Sequence, residues 1–293
     1  MTISIDRRQW LKHSVASAAI SASWPGWTIL VADVASRNFK IGACDWSIGR
    51  QGDVGAFGLA REMGLDGVQV SFGPPGGPSD LRQESVRQKF LAESAAQGVE
   101  IASLGMGILN SVPLATEERA EQWVRDCIEV MPSLGQRVLL LAFFGAGDIQ
   151  AKPERLAQVI ERLKRLAPQA ERAGVVLGLE TWLNVEDHLE FLDAVGSPAV
   201  QVYYDVANMT RRGYNVPLDI RRLGKERICQ VHCKEGEALL GEGKVDFRRV
   251  KDALNEIHWT GWLVIEGAIP PGGETVAAYR KNQQFLRNLF PTR

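Results

Sequence analysis

From Lys40 onward, short apolar runs rich in β-branched residues alternate with longer stretches whose apolar residues recur every three or four positions. The short runs predict strands over Lys40–Cys44, Gly67–Phe72, Glu100–Leu104, Arg137–Phe143, Val175–Glu180, Val200–Asp205, Arg227–His232 and Trp262–Glu266. The clearest helical stretch is Pro153–Ala173. Pro153 suits its first turn, Leu156, Val159, Ile160, Leu163 and Leu166 share one face, and Gly174 stops it. Gln83–Gln97, Glu117–Leu134, Asp246–Ile257 and Thr275–Leu289 read the same way.

Regular strand–helix alternation implies parallel strands joined by right-handed crossovers. Eight such units within about 250 residues favour a closed α/β barrel, the (β/α)8 TIM barrel, over an open sheet. No Gly-x-Gly-x-x-Gly turn follows the first strand, so the usual reason to prefer a dinucleotide-binding fold is missing. The barrel domain is placed at residues 39–293.

Charge and composition narrow the function. The 34 basic and 35 acidic side chains nearly cancel, which gives no basic excess for nucleic acid. No apolar run is long enough for a membrane span. Cys44, Cys127, Cys229 and Cys233 are too scattered for a disulfide framework. Cys229 and Cys233, on one predicted strand, would stand roughly 13 Å apart, beyond bridging distance.

Ahead of the barrel, Asp6-Arg7-Arg8-Gln9-Trp10-Leu11-Lys12 precedes a mildly apolar Ala/Ser/Ile run. Paired arginines before such a run resemble a twin-arginine export signal. Residues 1–35 are therefore expected to be an address read by the twin-arginine translocation machinery. Cleavage after Ala22 or Ala35 would leave a periplasmic or otherwise exported barrel.

The chemistry is concentrated at consecutive strand ends. Glu180 closes the fifth predicted strand, Asp205 the sixth, His232 the seventh and Glu266 the eighth. In a barrel these ends converge on one face. Three carboxylates at close range repel one another unless a cation offsets them or some are protonated. A bound divalent ion resolves the conflict, and an oxygen-rich set with one nitrogen favours Mn²⁺, Mg²⁺ or Co²⁺, with Zn²⁺ admissible. Lys234, two residues beyond His232, points to the same side if the strand continues. It could bind a substrate oxygen or stabilise an enediolate.

The runs Leu-Glu-Thr-Trp (179–182), Tyr-Tyr-Asp-Val-Ala-Asn (203–208), Val-His-Cys-Lys-Glu (231–235), Leu-Gly-Glu-Gly-Lys-Val-Asp-Phe (240–247) and Val-Ile-Glu-Gly (264–267) resemble the sugar phosphate isomerase/epimerase superfamily, the xylose isomerase-like barrels. The resemblance spans the barrel and is most specific from Val175 to Gly267. It implies one divalent metal held by Glu180, Asp205, His232 and Glu266. In epimerase members the two Glu ligands also stand on opposite faces of a substrate carbon and move its proton. The resemblance further implies a substrate contact from Glu186. Asn208 stands where many relatives have His, and the arginine that epimerases carry beyond this histidine has no counterpart in Glu235–Glu242.

Trp46, Phe72 and Trp182 lie at strand ends, where aromatic faces could pack on sugar C–H surfaces. The expected function is a metal-dependent isomerase or epimerase of a small carbohydrate, a sugar or keto-sugar, acting by proton transfer beside a carbonyl. A lyase or dehydratase acting on a keto-sugar or keto-glycoside is the alternative. A non-catalytic sugar-binding barrel and a multi-metal nuclease are weaker readings, and an oligomer is compatible with all of them.

Overall fold

The computed structural model describes residues 39–77 and 79–291; the expected export signal lies outside them. Eight parallel strands close into a barrel in sequence order. They are β1 Phe39–Cys44, β2 Gly67–Ser71, β3 Glu100–Met106, β4 Val138–Ala142, β5 Val176–Glu180, β6 Val200–Asp205, β7 Ile228–Cys233 and β8 Gly261–Ile265. β1 pairs with β8, from Phe39 opposite Gly261 to Ala43 opposite Ile265, and this ladder closes the ring.

Helices cover the outside: α1 Gly55–Met63, α2 Glu84–Gln97, α3 Glu118–Val130, α4 Pro153–Ala173, α5 Val185–Val195, α6 Val206–Arg211, α7 Val216–Leu223, α8 Phe247–Glu256 and α9 Thr275–Leu289. The predicted apolar face of α4 buries Val159, Leu163 and Leu166, while Leu156 and Ile160 flank the core half-buried. The expected helix Glu117–Leu134 is divided, with α3 ending at Val130 and a 3₁₀ turn following over Met131–Leu134. Pro132 explains the break, because it lacks the N–H that would continue the α-helical ladder.

Two boundary differences affect the site. β7 runs one residue past His232, and β8 ends at Ile265, so Glu266 stands just beyond its strand. No described helix is long and apolar enough to cross a membrane.

Inside the ring, Gly105 on β3 makes room for the indole of Trp46. A Cβ there would lie 2.9 Å from the Trp46 ring, closer than packing allows. Gln69, Ser103, Tyr203, Gln230 and His232 also point into the barrel, so its interior is partly polar though fully buried.

Candidate active site

Each expected ligand sits where a strand hands over to its loop. Glu180 is the last residue of β5 and Asp205 the last of β6, and Asp205 pairs in register with His232 of β7. Glu266 is tied by its backbone N–H to the carbonyl of Cys233, 3.1 Å away, which holds it beside the end of β7. One ligand atom from each of Glu180, Asp205, His232 and Glu266 falls within 4.8 Å of the others.

The two oxygens of Asp205 have different tasks. Oδ1 accepts hydrogen bonds from the backbone N–H groups of Ala207 (2.9 Å) and Asn208 (2.8 Å), capping α6. Oδ2 is buried and has no hydrogen-bond partner among the described residues. Its nearest cation is the Lys234 ammonium at 3.9 Å. A buried carboxylate oxygen left bare is costly unless something positive meets it.

The remaining geometry is equally directed. His232 Nδ1 lies 2.9 Å from Glu180 Oε1 and 3.6 Å from Glu266 Oε2. Glu266 Oε1 accepts from the Trp46 indole N–H at 2.9 Å, and its Oε2 from Lys234 Nζ at 2.7 Å. Burial, reinforced by the Glu180 and Glu266 charges against the pull of Lys234, lifts Asp205 from 3.8 to about 7. Burial also works against the charge on Glu266, but His232 and Lys234 outweigh it and hold this carboxyl at about 2. Lys234 is kept protonated in the same way: the facing Glu266 and Asp205 overcome the cost of burial and raise it.

These residues fit a divalent cation. Three carboxylates and one imidazole form a hard, oxygen-rich donor set, and the bare Asp205 oxygen faces into it.

Residues 57–289 match the xylose isomerase-like TIM barrel family. The chain belongs to that family. It is 26% identical over 222 residues to the 2-epi-5-epi-valiolone 7-phosphate 2-epimerase of an Actinoplanes species, covering 73% of this chain and 82% of the relative. It is also 26% identical over 226 residues to the L-ribulose-5-phosphate 3-epimerase UlaE of Salmonella heidelberg, covering 71% and 79%. Its fold matches the crystal structure of D-allulose 3-epimerase from a Methylomonas species, with TM-score 0.69 and 20% identity over 87% of this chain and 99% of the other. By family and curated relatives, the chain is an enzyme of the isomerase and epimerase type.

In this xylose isomerase-like barrel a cavity of about 200 Å³ opens above the cluster. Trp46, Trp182, Asn208, Lys234, Glu180 and Glu266 line it, so most of the residues proposed from the sequence meet there. Glu186 does not reach it. That side chain is exposed in the first turn of α5 and pairs with Arg222 on α7. Phe72 is buried, stacked beneath the Arg82 guanidinium. A larger cavity of about 760 Å³ lies among Phe39, Lys251, Trp259 and Phe290 and contains none of the four ligands.

The cavity also uses residues the sequence did not announce. Phe144 meets Trp182 edge-on at 4.9 Å between ring centroids, forming one apolar wall. Asn110 Oδ1 accepts from the backbone N–H of Phe144 at 2.8 Å, and the side chain lines the cavity. Arg211, the last residue of α6, brings an exposed guanidinium to the lining. The run Tyr-Tyr-Asp-Val-Ala-Asn-Met-Thr-Arg contained a signal for Arg211, because α6 begins directly at the Asp205 cap and is only six residues long, which keeps its last residue near the site.

Proposed function

We propose that this barrel is a divalent-metal-dependent epimerase or isomerase of a sugar or keto-sugar, moving a proton on a carbon next to a carbonyl. The observation that carries the reading is the convergence of Glu180, Asp205, His232 and Glu266, with a bare buried oxygen, at the floor of a cavity walled by Trp46, Phe144 and Trp182. Aromatic walls suit the C–H faces of a sugar ring, and Asn110, Asn208 and Arg211 suit its hydroxyls.

A proton beside a carbonyl is only weakly acidic, so its removal needs a carboxylate base and relief of the oxyanion charge that develops. Glu180 enters the cavity from the end of β5 and Glu266 from just beyond β8, and they serve as the proton-transfer pair. Trp46 N–H fixes the direction of Glu266, and Lys234 keeps it ionised. A divalent ion bound by the four ligands supplies Lewis-acid polarisation of the substrate carbonyl. Asp205 contributes orientation, since its capping bonds fix the angle at which Oδ2 faces the site.

A lyase or dehydratase is the second reading, and the ammonium of Lys234 favours it. Lys234 lines the cavity and holds a proton that a departing oxygen could accept. Both readings begin with the same proton abstraction and differ in the product.

We propose further that residues 1–35 direct export through the twin-arginine route, on the strength of Arg7-Arg8 and the mild apolar run after them. A reporter fused to residues 1–35 should leave the cytoplasm and should remain inside with Arg7→Lys/Arg8→Lys. Export of the lysine variant would sink this reading.

The deciding experiment measures the metal content of the purified barrel beside an Asp205→Ala/His232→Ala variant. Ketoses and keto-glycosides are then followed by NMR in D₂O. Stoichiometric metal in the parent only, with deuterium appearing at the carbon beside the carbonyl, is expected. Retention of the carbon and oxygen skeleton identifies an epimerase or isomerase, and loss of a hydroxyl or alkoxide identifies the lyase. A parent that takes up no Mn²⁺, Mg²⁺, Co²⁺ or Zn²⁺ would overturn the proposal.

A further inference from the structure

An amide inside an otherwise apolar strand needs a reason. β2 reads Gly-Val-Gln-Val-Ser, and Gln69 at its centre is completely buried inside the barrel. Burying a primary amide is unfavourable unless its two N–H donors and its carbonyl lone pairs all find partners.

All of them do. Gln69 Nε2 donates to Ser103 Oγ at 3.0 Å and to Tyr203 Oη at 3.1 Å. Gln69 Oε1 accepts the Cys44 thiol at 3.2 Å and faces His232 Nε2 at 2.9 Å. With the carbonyl toward the imidazole, Nε2 must carry a proton to make that bond. Nδ1, which donates to Glu180 Oε1 at 2.9 Å here, is then the nitrogen that would exchange its proton for a cation.

The reversed amide has a different consequence. Its N–H groups would face the thiol and the imidazole, and the Ser103 and Tyr203 hydroxyls would donate to its oxygen. His232 Nε2 would then have to accept, which places the ring proton on Nδ1 among the carboxylates, where it blocks ligation. Cys44 Sγ lies 3.2 Å from Gln69 Oε1 and 3.4 Å from His232 Nε2, and in the carbonyl-inward arrangement the thiol donates to that carbonyl while Nε2 keeps its own proton. Tyr203 also packs on the imidazole at 4.5 Å between ring centroids, which limits rotation of the ring.

We infer that Gln69 is a positioning residue. Through its carbonyl it holds His232 in the Nε2–H tautomer, with Nδ1 directed at the carboxylate cluster, and so sets the affinity of the site for its divalent ion. Partners of this kind on metal-bound histidines raise affinity by roughly 10- to 100-fold. The inference rests on the metal-site reading proposed above. Gln69 does not line the cavity; it acts through His232.

The test is Mn²⁺ binding to the otherwise intact protein, measured by calorimetry and by loss of the free-ion EPR signal. Gln69→Leu removes the acceptor and should weaken Mn²⁺ binding by roughly 10- to 100-fold, with turnover at saturating Mn²⁺ falling much less. Gln69→Glu keeps an acceptor toward Nε2–H and should bind Mn²⁺ at least as tightly as the parent. If Gln69→Leu does not fold, ¹⁵N-histidine NMR of the Zn²⁺-loaded parent decides, with a protonated Nε2 and a metal-shifted Nδ1 expected on His232. Unchanged Mn²⁺ affinity in Gln69→Leu, affinity in Gln69→Glu as weak as in the leucine variant, or a His232 proton on Nδ1 would overturn this inference alone. A parent that binds no Mn²⁺ would overturn the metal reading and this inference with it.

Discussion

Asp205→Asn should raise the stability of the metal-free protein while abolishing its response to metal. The asparagine Oδ1 can still accept from Ala207 and Asn208, so the cap on α6 is retained. What disappears is a buried charge whose carboxyl is lifted from 3.8 to about 7, with burial as the leading cause. A carboxyl raised on folding stabilises the native state below its unfolded value, and that contribution is lost as pH rises toward the folded one. Working the linkage from 3.8 and about 7, the variant's advantage over the metal-free parent should grow by roughly 3 kcal/mol between about pH 5 and about pH 8. For a domain of this size that corresponds to a Tm difference widening by roughly 6–12 °C.

Thermal unfolding in EDTA across this pH range is the assay, repeated with excess Mn²⁺. In the parent, ion at about 100 times its Kd should add roughly 2.7 kcal/mol, and the variant should gain little. A metal-free Asp205→Asn protein less stable than the parent at pH 8 would show that Oδ2 is already compensated, and the reasoning about a bare buried oxygen would fail.

Other substitutions separate the roles around the cluster. Lys234→Met removes the cation that helps hold Glu266 ionised; steady-state assays on the identified ketose should show kcat lower by roughly 10²-fold or more, whereas a solvated rim lysine would leave it unchanged. Trp46→Phe removes an N–H bond to a charged carboxylate, a loss of roughly 1.5–3 kcal/mol. Because that bond helps keep Glu266 low, the acid limb of kcat/KM should move to higher pH. Arg211→Ala should raise KM roughly five-fold or more with kcat preserved, the pattern for binding shared equally by ground and transition states; a fall in kcat alone would place Arg211 in the chemistry instead.

Much of this arrangement was legible in the sequence because barrels write their chemistry at repeated positions. β6 spans Val200–Asp205 and α4 spans Pro153–Ala173, the bounds that apolar periodicity and the flanking Pro and Gly predict. The proposed ligands could be read because each stands at or within one residue of a strand end, and a closed barrel makes strand ends converge whatever their separation in the chain. Gln69 could not be read in the same way. Its partners Tyr203 and His232 are 134 and 163 residues away, and one polar residue within an apolar strand does not reveal what it faces. Trp46 was visible at a strand end, but its bond to Glu266 depends on the space that Gly105 leaves on β3. Glu186 shows the opposite limit. Position after a motif suggested a substrate contact, yet the α5 helix turns that carboxylate outward to Arg222.

The four proposed ligands all lie on β5 to β8 or directly after them, whereas Trp46, Asn110 and Phe144 belong to the loops after β1, β3 and β4. One half of the ring thus carries the reactive groups, and the other contributes much of the wall that a substrate meets. Such a division lets selectivity diverge while the reaction is inherited intact, and it offers an engineer the first four loops as variable territory. Among the contacts that stitch the halves together, two act on the proposed ligands themselves, Trp46 to Glu266 and Gln69 to His232. A library that randomises the front loops but preserves those two stitches should retain proton transfer while changing which sugar is accepted.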